Sequence, residues 1–277
     1  MFKKVAKENI YSEHGALLLS KGSIITDEIQ RKLSRLNTFE LPERRPLKDI
    51  SKNAPSNESQ RIFDNAANRM QQKSLNLDPE RFNRSSLILK KIIFDAKLNQ
   101  WWMLTQALFN YLDWLYTHSI DVALMSLLIA SQKRYSDKEL KEIALGAFLH
   151  DIGMLLIPKT ILTKTTTLED SEKQLIKQHC DLGYSVIQEY NLSNISVNII
   201  LQHHERLDGT GFPRGISEAY ISPEAQIVAL ADVIDANTSY YPRHTIKDIN
   251  TVLQELNKKG LRFDAENIHI FKSLMNS

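Results

Sequence analysis

Ile143-Ala144-Leu145-Gly146-Ala147-Phe148-Leu149-His150-Asp151-Ile152-Gly153 reads as a strongly apolar helix that ends on an imidazole and a carboxylate. The arrangement recurs at His203-His204-Glu205, which closes the apolar segment Val197 to Leu201. Asp232 continues the run Ile227-Val228-Ala229-Leu230-Ala231, where an unpaired carboxylate is costly and metal ligation is one way to remove the cost. Taken singly, His118 or His179 reads as a hydrogen-bonded core histidine, and Asp232 as a capping or surface residue. Adjacent pairs at apolar helix ends put a metal site on an equal footing with those readings.

Working outward, helical periodicity dominates the chain beyond residue 100. Helices are expected over residues 101–132, 137–150, 169–190, 193–204, 223–239, 245–259 and 264–274, with loops at Leu162 to Thr167 and Asp208 to Gly215. Neither a fixed-period repeat nor a βα alternation is present, so the fold class is mainly α, a helical bundle able to project His and carboxylate groups inward. The bundle is preceded by a small N-terminal domain with short helices and a few short strands. Ala16-Leu17-Leu18-Leu19 between Gly15 and Gly22 indicates strands and tight turns, and a short helix follows Thr26-Asp27-Glu28. Pro42, Pro46 and Pro55 mark a linker or loop from Leu41 to about Gln60, after which Ile62, Phe63, Ala66, Ala67 and Met70 restore helical periodicity. The expected division is residues 1–85, an N-terminal regulatory or interaction domain with linker, and residues 86–277, the larger helical domain.

Composition excludes several classes. Lys plus Arg number 35 and Asp plus Glu 33, so no general basic surface exists for nucleic acid. Cys180 is the only cysteine, which rules out an intrachain disulfide. Its position beside His179 suits a small buried hydrophobe. No segment approaches the roughly 20 apolar residues of a membrane span, and the N-terminus lacks a secretory apolar run. A cytoplasmic protein without membrane insertion is expected.

Residues 114–275 resemble the HD-GYP subgroup of the HD superfamily of metal-dependent phosphohydrolases. The matching elements are His118-Ser119, Leu149-His150-Asp151-Ile152-Gly153, Ile157-Pro158 and Ile161-Leu162-Thr163-Lys164. They continue through His179 and Gly183, His203-His204-Glu205-Arg206-Leu207-Asp208-Gly209-Thr210-Gly211-Phe212-Pro213, Ala231-Asp232-Val233-Ile234-Asp235-Ala236, and Gly260, Phe263 and Asp264. The resemblance implies a phosphodiesterase that hydrolyses cyclic di-GMP. It implies that His118, His150, Asp151 and Asp232 hold one divalent ion and His179, His203 and His204 the other, with Asp151 bridging. Iron is expected, and manganese or zinc also suits these ligands. Two ions about 3.5–4 Å apart would generate a bridging hydroxide that attacks phosphorus in line. His150 and Asp151 would then be the catalytic core. Relatives with a third ion carry glutamate four positions before the first histidine, where this chain has Trp114, so two metals are expected.

The departures fall where substrate is held. Phe212 replaces the tyrosine of Gly-Tyr-Pro, Met154 a lysine and Asp121 an arginine, while Gln226 and Tyr241 stand where relatives often have arginine. Glu205, Arg206, Asp208, Gly209, Gly211, Phe212, Pro213 and Lys159 are the candidate substrate or partner loop. Arg206, Lys159, Arg214, Arg243 and His244 are candidates to replace the lost charges. Two readings stay open: a cyclic di-GMP phosphodiesterase, or a catalytically weak or inactive metal-containing module that binds nucleotide or a signalling protein through its Gly-Phe-Pro loop. Gly209, Gly211 and Pro213 also read as a simple tight turn, and Trp101, Trp102 and Trp114 as packing residues.

Overall fold

The computed structural model describes residues 57–73, 78–94, 101–258 and 262–275, and before them the backbone of five short strands. These are β1 (Lys4–Val5), β2 (Ile10–Ser12), β3 (Leu17–Leu19), β4 (Ile24–Ile25) and β5 (Thr38–Glu40). β1 pairs with β4, and β2 lies between β3 and β5, all antiparallel. The short helix expected after Thr26 lies outside the described residues.

The rest is helical. In chain order come α1 (Asn57–Asp64), α2 (Ala66–Gln72), α3 (Pro79–Phe94), α4 (Trp102–Tyr111), α5 (Asp113–Ala130), α6 (Asp137–Phe148) and α7 (Lys159–Leu162). They are followed by α8 (Asp170–Lys177), α9 (His179–Ile187), α10 (Asn194–Gln202), α11 (Pro223–Thr238), α12 (Ile249–Lys258) and α13 (Ala265–Met275). Helix starts follow local chemistry. Ser136 and Glu139 form a reciprocal capping box at α6, and Ser193 and Ser222 accept the backbone N–H of Ser196 and Ala225. Pro223 occupies the first turn of α11, where its missing N–H costs nothing.

Helix α5 is the axis of the bundle. His118 through Ala130 are buried without interruption, because α3, α4, α6 and α11 all pack on it. That packing explains a sequence that is apolar on every side. Two expected helices are in fact pairs. The helix expected over 101–132 breaks at Leu112, whose extended backbone (φ −148°, ψ 125°) ends α4 and opens α5. Its carbonyl accepts from Leu115 and Tyr116, so the break loses little hydrogen bonding. The helix expected over 169–190 is interrupted at Gln178 and closes in a 3-10 turn at Gln188–Tyr190. The loop expected up to about residue 60 ends earlier, at the start of α1.

Phe63, Met70, Leu89 and Ile93 belong to the same continuous core as Leu124, Phe148 and Leu230. α3 runs through residue 85, and core residues lie on both sides of that position. The 3-10 turn Ile152–Leu156 lies directly on α9. A Cβ on Gly153 would stand 1.9 Å from the His179 carbonyl oxygen and 2.5 Å from the Gly183 nitrogen, so only glycine permits this approach. It brings Asp151 next to His179.

Candidate metal centre

Five elements converge on one buried cluster. α5 supplies His118, the end of α6 and the turn after it supply His150 and Asp151, and α9 supplies His179. His203 and His204 follow α10, and α11 supplies Asp232. The ligand atoms form two groups, each within 4.8 Å: His118, His150 and Asp232, and Asp151, His179, His203 and His204.

Hydrogen bonding fixes how the imidazoles face. Nδ1 of His150 donates to the Ala147 carbonyl at 2.7 Å, and Nδ1 of His179 to that of Ile176 at 2.6 Å. Nδ1 of His203 donates to the carbonyls of Ile199 and Ile200, each at 3.1 Å. Nδ1 of His118 donates to Oδ2 of Asp235 at 2.7 Å. With Nδ1 so occupied, the lone pair of each ring lies on Nε2 and points inward. The Nε2 atoms of His118 and His150 are 3.2 Å apart, and those of His179 and His203 3.1 Å apart. Facing lone pairs at that distance repel unless a cation or a proton lies between them.

Asp151 sits between the groups. Its Oδ2 lies 3.5 Å from His150 Nε2 and 3.7 Å from His118 Nε2, and its Oδ1 lies 3.3 Å from His179 Nε2 and 3.8 Å from His203 Nε2. Oδ1 is buried without a hydrogen-bond partner among the described residues. An orphaned buried carboxylate oxygen facing imidazole lone pairs is what a divalent cation satisfies. The residues present therefore fit such ions.

Electrostatics agree with a ligand role. Burial holds His150 below the ordinary imidazole value. Burial also holds His203 and His204 well below it, with neighbouring imidazoles adding to the effect. Burial opposes ionisation of Asp151, but His150, His179 and His118 outweigh it and lower its pKa. His118 differs: burial opposes its charged form, but Asp232 with Asp235 overcomes it and raises that pKa well above the usual value, so a cation there would displace a proton from Nε2. Exposure is uneven: the His204 side chain is 20 % exposed, and its Nδ1 lies 3.6 Å from Asp232 Oδ2. No other member of the cluster exceeds 8 %.

A family model described as HD domain matches residues 102–266, more than half of the chain. The chain belongs to the HD domain family. The HD domain here is 37% identical over 131 residues to a cyclic di-GMP phosphodiesterase of Pseudomonas aeruginosa, covering 47% of this chain and 32% of that protein. It is 34% identical over 160 residues to a cyclic di-GMP phosphodiesterase of Thermotoga maritima, covering 57% and 44%. The chain thus spans less than half the length of these curated relatives. Among solved structures, a protein from Bdellovibrio bacteriovorus described as HDG"Y"P has the same fold, with a TM-score of 0.53 and 18% identity over 99% of this chain and 96% of that one.

The loop of this HD domain after His204 is wrapped around Glu205, which is buried. Its carboxylate accepts the backbone N–H of Arg214 at 2.8 Å and of Ile216 at 3.2 Å. Gly211 lies so close to Glu205 that a Cβ would stand 2.4 Å from the Glu205 Cα. Phe212 is stacked on His204, and the peptide to Pro213 is cis. Gly209 has a positive φ of 74°, and Asp208 accepts from the Thr210 N–H and hydroxyl.

The candidate charges are mostly engaged. The Arg206 guanidinium donates to the His203 and Glu205 carbonyls and lies over Phe263. Arg214 pairs with Asp181, and Arg243 donates to the Ile161 and Lys164 carbonyls. Lys159 is exposed, with its ammonium 4.7 Å from the Tyr111 ring centre. His244 is exposed, with its ring edge-on to that of Tyr241.

Several residues that the sequence marked only as departures or as motif members support the cluster. Asp235 holds His118, and Tyr241 donates to Asp235. Trp114 packs edge-on against Tyr241, with ring centroids 5.3 Å apart. Asp121 receives a two-pronged contact from Arg69 of α2, at 2.8 Å and 2.7 Å. Asp232 and Asp235 share an apolar helix at a three-residue spacing, which was the available signal for the second carboxylate.

Proposed function

We propose that this chain is a metal-dependent phosphodiesterase of the HD-GYP type whose substrate is cyclic di-GMP or a related cyclic dinucleotide. One observation carries the reading: Asp151 turns one oxygen towards each of two histidine groups whose Nε2 lone pairs face inward. His118, His150 and Asp232 would hold one divalent ion, His179, His203 and His204 a second, and Asp151 would bridge them. Iron is the first choice, with manganese or zinc compatible with the same atoms. When bound, the two ions supply Lewis acidity towards phosphoryl oxygens and towards water.

The chain's own contribution is orientation and exclusion. Backbone carbonyls and Asp235 hold four imidazoles with Nε2 inward, and Asp151 stays ionised under its histidine neighbours. The loop fixed by Glu205 forms a wall beside the one partly exposed ligand, His204, and Lys159 is an exposed cation available to a phosphate. The relatives named as cyclic di-GMP phosphodiesterases support the substrate class.

Among the described residues no helix is long and apolar enough to cross a membrane, which is compatible with the cytoplasmic setting proposed here. The N-terminal regulatory or interaction segment is proposed to end before Asn57 rather than at residue 85, because α1–α3 share the bundle core.

The test is metal analysis of purified chain followed by incubation with cyclic di-GMP. About two ions per chain and a linear or fully cleaved product are expected, and Asp151→Asn should lower both metal content and turnover by at least about a hundredfold in rate. A metal-loaded chain that leaves cyclic di-GMP intact would favour the second reading, a metal-containing binding module. That reading draws on Met154 and Phe212, which cannot provide a lysine or a phenol to substrate, and on Asp121, which is committed to Arg69.

A further inference from the structure

α2 lies outside the residues matched by the family model, yet it places two cations beside the support of His118. Lys73, immediately after α2, is buried, with its ammonium 3.2 Å from Asp235 Oδ1 and 2.5 Å from Ser239 Oγ. Ser239 in turn donates to Asp235 Oδ1 at 3.0 Å. The other oxygen of Asp235 accepts from His118 and Tyr241. One helical turn before Lys73, Arg69 grips Asp121, and its remaining nitrogen donates to the Ile62 carbonyl at 2.7 Å.

We propose that Lys73 is a positioning residue for the metal centre: it anchors Asp235 so that His118 presents Nε2 to a divalent cation, with Arg69 holding α2 in place. The inference rests on the proposed metal-binding role of His118. Buried carboxylates need compensation, and a carboxylate with one oxygen tied to an ammonium has a single orientation left for the other. Tyr241 fills the remaining space on that oxygen, and Trp114 fixes Tyr241. Lys73 touches no ligand directly, so its effect passes through Asp235 alone.

The experiment titrates manganese(II) into metal-free full-length chain and follows unfolding by circular dichroism in chelator. Lys73→Met should weaken cation binding roughly tenfold or more, the range seen when a support of a ligating histidine is removed. Lys73→Arg should restore it to within about threefold of wild type. Because Lys73→Met leaves Asp235 buried without its cation, it is paired with Asp235→Asn and with the double variant, which removes both charges. If Lys73 acts through Asp235, the double variant binds manganese as Asp235→Asn does. Unchanged affinity in Lys73→Met, or a further tenfold loss in the double variant, overturns the positioning role. Wild-type chain that binds no divalent cation overturns the metal-centre reading and this inference with it.

Discussion

Phe212 lies flat on the imidazole of His204, with ring centroids 4.5 Å apart and planes inclined by 29°. The side chain thus packs its ring on a candidate ligand and brings no hydroxyl to it.

A first prediction separates those two functions. An aromatic pair contributes about 1 kcal/mol beyond buried area, so Phe212→Ala should weaken manganese binding by roughly fivefold. Phe212→Tyr should leave it unchanged while lowering the KM for cyclic di-GMP. Isothermal titration and steady-state kinetics on the two variants give the answer, and equal manganese affinity in Phe212→Ala and wild type would refute a supporting role for the ring.

The approach of Gly153 to α9 gives a second. Gly153→Ala forces a methyl group into the His179 carbonyl, a rigid backbone atom. The cost should be about 3 kcal/mol or more, with lower metal content because Asp151 and His179 move apart. Urea denaturation of the metal-free chain measures the first effect, and a midpoint like that of wild type would contradict the close packing.

Glu205 provides a third. Its carboxylate satisfies two backbone donors, so Glu205→Ala should destabilise by about 2–4 kcal/mol. Amide exchange at Arg214 and Ile216 should accelerate, whereas exchange in α5 should not. Protection unchanged at both amides would show that the loop is held by something else.

The fourth concerns pH. Burial raises the Asp121 carboxyl, Arg69 draws it down and Asp235 pushes it up again, leaving it raised to about 6. The unfolded value is about 3.9. A folded pKa above the unfolded one means that the group's contribution to stability is fully present below about pH 4 and is lost as pH rises through about 6. Asp121→Asn should flatten this part of the stability profile, as read from unfolding midpoints between pH 4 and 7. An unaltered profile would assign the slope to another group.

The helical class was readable from periodicity, and His150-Asp151 and His203-His204 from their place at apolar helix ends, whereas His118, His179 and Asp232 joined them only through the family resemblance. Leu112 and Gln178 were not readable as breaks. Neither is glycine or proline, so neither residue type announces a change of backbone, extended at Leu112 and φ −74°, ψ −9° at Gln178. Arg69 and Lys73 were opaque for a different reason: each looks like an ordinary solvated cation on a helix, and its partner lies 52 or more residues away. Asp235 was visible within a quoted motif, but only the structure shows which ring it holds.

The graded accessibility of the cluster has a further consequence. His204 is the most exposed of the candidate ligands, and the Phe212 ring lies on it. Because His204 is itself a candidate ligand, a change to the Phe212 ring touches admission and ion retention together, and the two are tied to each other at this point.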